Sequence, residues 1–176
     1  MSNPTHTAVT WRHNLARTLR RFPWVMNPLL TLYRWTRPKY TLGVAGIVFN
    51  ELHEVLLVEH VLHPRHPWGL PGGWVDAHEA PSKSVAREIA EEVGLQVEVG
   101  PLVSIDEWPD IQHMDIIFLC VAQPPVEVGA LSGELLSYGW HTLDALPDVE
   151  DFHRAAIHKA YAHLQTNGQW GEENHP

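Results

Sequence analysis

From Tyr40 to Phe49 the chain is almost continuously apolar and β-branched, broken only by Gly43 and Gly46, which predicts a strand. A polar turn, residues 50–54, leads to Val55-Leu56-Leu57-Val58, a run with the composition of a buried strand, and the two are expected to pair as a hairpin. A loop rich in proline and histidine, residues 60–71, carries the chain to Gly72-Gly73. Further strands are predicted at 97–99, 102–108, 114–121 and 137–141. Phe152, Ala156, Ala160 and Leu164 recur every four residues and predict an amphipathic helix over about 149–164. The tail from residue 166 to 176 is polar and expected to be loose. Neither an internal repeat nor a low-complexity tract is present.

Between these strands one helix stands out. Pro81 suits a first helical position and Gly94 a left-handed stop, so the helix is expected to span about 81–93. At about 100° per residue, Val85, Ala86, Ile89, Ala90 and Val93 share one arc, and Glu88, Glu91 and Glu92 gather on the opposite side. One arc reads as core and the other as carboxylate. Like charges at this spacing cost a helix a few tenths of a kcal/mol per pair, and Arg87 is the one cation among them. Clustered carboxylates of this kind suit a hard divalent ion such as Mg²⁺.

The first forty residues follow a different pattern. Trp11, Leu15, Thr18, Leu19 and Phe22 fall on one helical face, with Arg12, Arg17, Arg20 and Arg21 around the rest, until Pro23 and Pro28 are expected to break the pattern before a second apolar segment, 29–35. Seven basic residues and no acidic one lie in residues 1–40, a charge of +7. Residues 41–176 hold 5 basic and 21 acidic residues, a net of −16. We therefore read a basic amphipathic arm over 1–39 and an acidic domain over 40–165. The arm's apolar face is expected to cover the acidic body or a second subunit in a homodimer. The competing readings are an anionic membrane surface and an organelle transit peptide.

Length and composition narrow the class further. At 176 residues the chain has room for one ordinary domain with a real core, not two, and no stretch offers the ~18 consecutive apolar residues of a membrane-spanning helix. The single cysteine, Cys120, lies in an apolar run, which excludes an intramolecular disulfide and points to a reducing, cytoplasmic setting. An acidic body repels nucleic acid and phosphorylated substrates unless cations intervene, so no stable nucleic-acid partner is expected and a metal is.

Gly73, Glu79, Arg87-Glu88-Ile89, Glu91-Glu92 and Gly94-Leu95 together resemble a complete Nudix box. A chance match of its seven fixed residues is on the order of 10⁻⁷. Trp68-Gly69-Leu70-Pro71-Gly72-Gly73 resembles the usual approach to the box, and Tyr138-Gly139-Trp140 through Leu146-Pro147 the family's late strand. The resemblance implies an α+β fold, a mixed β-sheet in an α/β/α sandwich, and a divalent-metal-dependent pyrophosphohydrolase. On it, Glu88, Glu91 and Glu92 would hold Mg²⁺ (or Mn²⁺) or activate water, Gly72 and Gly73 would offer a backbone carbonyl to the metal, and Arg87 would pair with Glu79 to brace the loop. The family's general base lies in the box or in a later loop; Glu134 is the candidate outside it, with Glu107 and Asp110 behind. Arg65 and Trp68 are expected to touch substrate.

The leading substrate is an ADP-ribose-like nucleoside diphosphate derivative. Pro109 lies near, but not on, the position of a proline associated with ADP-ribose hydrolysis, and residues 111–113 lack the tyrosine of dinucleoside polyphosphate members. The alternatives are a triphosphate-sanitising pyrophosphohydrolase and a nucleotide-binding regulatory module without turnover. Isopentenyl diphosphate isomerase shares the fold but uses a catalytic cysteine, which Cys120 in its apolar run does not suit. His60, His63 and His66 read as solvated loop residues rather than phosphate ligands. His153, His158 and His163, five apart, do not share a helix face. Trp74 and Trp108 join Trp68 as residues able to stack on a base, although each has a place in a core as its plainer reading.

Overall fold

The computed structural model describes residues 13, 16–17, 20–21, 23–62 and 65–167. The chain divides into two compact units, Met1–Lys39 and Tyr40–Pro176. In the first, helix α1 spans Pro23–Trp35. It runs through Pro28, where a break was expected. Pro23 opens the helix at a position where proline's missing N–H costs nothing, and Pro28 removes only one later hydrogen bond. The apolar face drawn through Trp11, Leu15, Thr18, Leu19 and Phe22 lies outside the described residues, as do Arg12, His63 and the tail from residue 168.

The described residues of the second unit form seven strands and two long helices. Strands β1 (Thr41–Val48), β4 (Gly72–Trp74), β5 (Val97–Trp108) and β6 (His113–Ala122) form one sheet in the order β4-β1-β6-β5. Strands β2 (Val55–His60), β3 (Trp68–Gly69) and β7 (Leu135–His141) form another in the order β3-β2-β7. Helix α2 spans Pro81–Val93 and α3 spans Asp151–Asn167. The parallel pairing of β1 with β6, from Thr41↔His113 to Val48↔Cys120, makes the first sheet mixed.

Strand alternation explains the layers. Val44 and Val48 of β1, with Leu56 and Val58 of β2, pack in one cluster with Val85, Ile89 and Val93 of α2. Ala45 and Ile47 of β1, with Val55 and Leu57 of β2, pack in a second cluster with Ala156, Ile157 and Ala160 of α3. Both strands are thus buried on both faces, which is why their sequences are continuous apolar runs rather than alternations. The result is an α/β/α sandwich.

The expected β1–β2 hairpin does not form. One isolated bridge, Phe49↔Val55, joins their ends. β1 takes β4 on one side and β6 on the other, leaving no free side for β2, which pairs with β3 and β7. Asn50 directs the departure: its Oδ1 accepts from the backbone N–H groups of Leu52 and Glu54 at 2.9 Å each. The two strand segments predicted at 97–99 and 102–108 are one strand, β5, with register shifts around Pro101, whose ring nitrogen cannot join the ladder.

Candidate active site

Helix α2 has the bounds its sequence predicts. Pro81 stands in its first turn, and Gly94 ends it with φ +73°, a left-handed conformation that costs glycine nothing. Its three carboxylates do not share one environment. Glu91 is exposed, Glu88 half-buried and Glu92 buried at 6% exposure. The cause is what closes over the helix end. The Gly72 backbone N–H donates to Glu92 Oε2 at 2.8 Å, and Ser132 N–H donates to the Glu92 carbonyl at 3.0 Å.

Burial pushes the Glu92 carboxyl up to about 7; the Gly72 hydrogen bond opposes the rise, and the charges of Glu88 and Glu134 add to it. Glu134 therefore lies within electrostatic reach of the helix, as an outside carboxylate must. Its loop is latched there by Gly129 N–H donating to the Val93 carbonyl (2.8 Å), and Val61 N–H donates to the carbonyl of Glu134 itself (3.0 Å). A Cβ on Gly73 would stand 2.4 Å from Glu88 Oε2, so the glycine lets β4 pass directly against that carboxylate. Gly72 is equally constrained, by the backbone of Val44 and Ala45.

Arg87 connects the loop to the helix. Its Nη2 reaches Glu79 Oε2 at 3.0 Å and the Trp74 carbonyl at 3.3 Å, and its Nε lies 3.3 Å from the same Glu79 oxygen. Ser84 Oγ donates to Glu79 at 2.7 Å from a fully buried position. The bonds from Arg87 first and Ser84 second hold the Glu79 carboxyl below its usual range, and the bonds to Glu79 and then Glu88 hold the Arg87 guanidinium above its own. Arg87 Nη1 also donates to Glu88 (2.8 Å) and Glu91 (3.2 Å), and Asp76 lies 3.6 Å from Nη2. Among the described residues no three His, Cys, Asp or Glu side chains stand together as a ready metal cage. The donor set nonetheless fits a hard divalent ion, because a desolvated carboxylate lies in the field of two more, Glu88 and Glu134, and Glu91 stands on the same helix.

The other candidates are dispersed. Trp68 is partly buried, packing against the α3-side cluster and edge-on to His141 (5.2 Å). Trp108 donates to Asp115 at 2.8 Å and packs edge-on to Phe152. Trp74, by contrast, is 60% exposed and borders a cavity of about 480 Å³ with Tyr40, Asp76 and Glu79. Arg65 and Asp110 are exposed. Glu107 accepts from Tyr40, and His66 pairs with Asp148 at 3.0 Å. Cys120 is buried, its thiol pushed up to about 12 by desolvation, as an inert core residue. A larger cavity of about 720 Å³, lined by Phe49, His53, Cys120, Trp140 and Tyr161, includes no box residue and only Glu51 as an acid, so its size does not make it the reaction site.

Sequence reasoning missed three contributors: Ser84 and Asp76 in the brace, and a network in which His113, 9% exposed, bonds Thr41 (2.8 Å) and Asp115 (3.0 Å) beneath the Trp74 ring. The available signal was the His113-x-Asp115 spacing, which puts both residues on one face of a strand.

The family model described as NUDIX domain matches residues 39–164. A MutT-like protein of Streptomyces ambofaciens is 31% identical over 111 residues, covering 63% of this chain and 70% of that protein. A putative 8-oxo-dGTP diphosphatase of Bacillus subtilis is 35% identical over 79 residues, 45% of this chain and 52% of that one. The chain spans 36% of the NAD-capped RNA hydrolase of Erwinia tasmaniensis, at 31% identity. An ADP-ribose pyrophosphatase structure from Streptococcus suis matches with TM-score 0.58 and 26% identity, over 75% of this chain and 96% of that one. The match runs through both core clusters, the box and its brace, and it makes the chain a member of the Nudix hydrolase family.

Proposed function

We propose that residues 40–165 hydrolyse the pyrophosphate bond of an ADP-ribose-like nucleoside diphosphate derivative, giving a nucleoside monophosphate and a phosphorylated product. The observation that carries this reading is the buried Glu92 carboxylate, held by Gly72 N–H in the field of Glu88 and Glu134. Glu88, Glu91 and Glu92 are the residues that would hold Mg²⁺, or Mn²⁺ in its place. When bound, such an ion neutralises pyrophosphate charge and acidifies a coordinated water.

The chain's own residues supply the rest. Glu134 takes the proton of the attacking water, from a loop fastened to the helix end through Gly129 and Ser132. Arg87 and Glu79 keep the glycine loop in register with the helix, so that the carboxylates meet the diphosphate in a fixed arrangement. Trp74, exposed over the neighbouring cavity, joins Trp68 as a residue placed to stack on the base. The single buried thiol suits a cytoplasmic enzyme.

The lead substrate is supported by the likeness to the Streptococcus suis ADP-ribose pyrophosphatase. A triphosphate pyrophosphohydrolase is the second reading, favoured by the 35% identity to the Bacillus subtilis relative. The test is a panel of ADP-ribose, nucleotide sugars, NADH, dinucleoside polyphosphates and ordinary or oxidised triphosphates, assayed with Mg²⁺ and with Mn²⁺. A roughly tenfold preference for triphosphates in kcat/KM would promote the second reading.

A further inference from the structure

We propose that α1 and its basic flanks form a docking surface for an anionic phospholipid bilayer. The helix presents large apolar side chains to water: Trp24 is 71% exposed, Leu30 50%, Leu32 61%, Tyr33 53% and Trp35 76%. At about 100° per residue, Asn27, Thr31 and Arg34 share a polar stripe only about 60° wide, and these five residues occupy the wheel outside it. An apolar surface of this breadth marks an interaction face.

Charge selects the occupant. Arg34, Arg37 and Lys39 follow or end the helix, Arg17, Arg20 and Arg21 precede it, and no acidic residue occurs before Glu51. A cationic segment of this kind is drawn to an anionic leaflet. The aromatics then favour a bilayer over a protein seam. Trp24 stands at the start of the helix and Tyr33 and Trp35 at its end, and Trp and Tyr prefer the headgroup layer, where an apolar ring and a polar atom are both accommodated. The Arg37 guanidinium lies 4.2 Å over the Tyr33 ring, which keeps a cation beside an apolar surface.

Length sets the orientation. Thirteen helical residues extend about 20 Å, short of the ~30 Å hydrocarbon core, and no described helix is long and apolar enough to cross a membrane. The helix therefore lies in the interface, along the bilayer surface.

The test uses the full chain in co-sedimentation with phosphatidylcholine vesicles, with and without about a third phosphatidylglycerol, at ~0.1 M and ~0.5 M salt. Binding is expected to the anionic vesicles at low salt and to fall at least about tenfold on plain vesicles or at high salt. The double variants Trp24→Ala/Trp35→Ala and Arg34→Glu/Arg37→Glu should each weaken it by at least about tenfold, leaving pyrophosphohydrolase activity unchanged. Absence of vesicle binding by the full chain, or undiminished binding by the tryptophan variant, overturns the proposal. So does a size-exclusion profile in which the tryptophan variant splits a dimer that does not itself bind vesicles, since the face is then a seam between two copies.

Discussion

Gly72 N–H donates to Glu92 Oε2 at 2.8 Å, joining the strand that opens the box to the last turn of the helix that ends it. Two elements separated by a turn and a whole helix are thereby fixed at the point where the chemistry is proposed to occur. The consequences can be measured one residue at a time.

Glu88→Gln and Glu92→Gln should each lower kcat by at least about a hundredfold while circular dichroism and thermal unfolding show a folded protein. Loss of a metal-holding carboxylate removes several kcal/mol of transition-state stabilisation, at tenfold per ~1.4 kcal/mol. Unchanged metal-dependent turnover in both variants would remove the basis for the assignment.

Glu92 also gives the metal-free protein a pH dependence of known sign. Its carboxyl is raised from 4.5 to about 7 in the folded state, so the ionised form is disfavoured by folding. The native state therefore holds the proton more tightly. The stability this group contributes is fully present below about 4.5 and is lost as pH rises toward 7, an amount on the order of 3 kcal/mol at most. Thermal unfolding in a chelator across that range should show the decline, and Glu92→Gln should flatten it.

Adjacent glycines should respond differently. A Cβ at Gly73 meets the Glu88 carboxylate at 2.4–2.9 Å, a flexible side-chain end that can move aside. Gly73→Ala should thus cost activity, about tenfold or more, with little change in melting temperature. A Cβ at Gly72 meets the Val44 carbonyl at 2.1 Å and Ala45 Cα at 2.7 Å, which are backbone. Gly72→Ala should lower the melting temperature sharply, by disturbing the pairing of β1 with β4. Equal loss of stability in both variants would contradict this division.

Arg87→Ala removes the bonds to Glu79, the Trp74 carbonyl, Glu88 and Glu91 together. Stability should fall by about 1–3 kcal/mol, because Glu79, left with Ser84 alone, loses its charged partner, and the Trp74 carbonyl and Glu88 lose a donor. Activity should fall with it. Arg87→Lys should restore only part of either, since an ammonium lacks the planar fork that reaches several acceptors at once. Denaturant titration beside kcat measurement tests this, and a kinetic loss without any change in stability would refute the bracing role.

Local chemistry made much of this molecule readable in advance. Pro81 and Gly94 mark α2 because each acts on its own backbone, and the box residues stand out because their spacing is fixed by a single helix and loop. Pairing was harder. The sequence of β1 and β2 reveals two buried strands, but which neighbours they take depends on β4, β6 and β7, far along the chain. Helical geometry placed Glu92 with Glu88 and Glu91, and only the loops at Gly72 and Ser132 decide that it is buried. The same distinction separates Trp68 from Trp74: they stand on either side of the glycine pair, and tertiary packing alone sets one against the core and the other in water.

Strand β4 is three residues long and ends its sheet, with β1 on one side only. Unpaired amides on an outermost strand invite another chain to add on, and proteins usually blunt them with charge or a covering element. Here the Glu92 side chain occupies the Gly72 amide, so a residue proposed for hydrolysis also guards a sheet margin against aggregation. Glu92→Gln leaves an acceptor there. Glu92→Ala does not, and its protein should show self-association that the glutamine variant lacks.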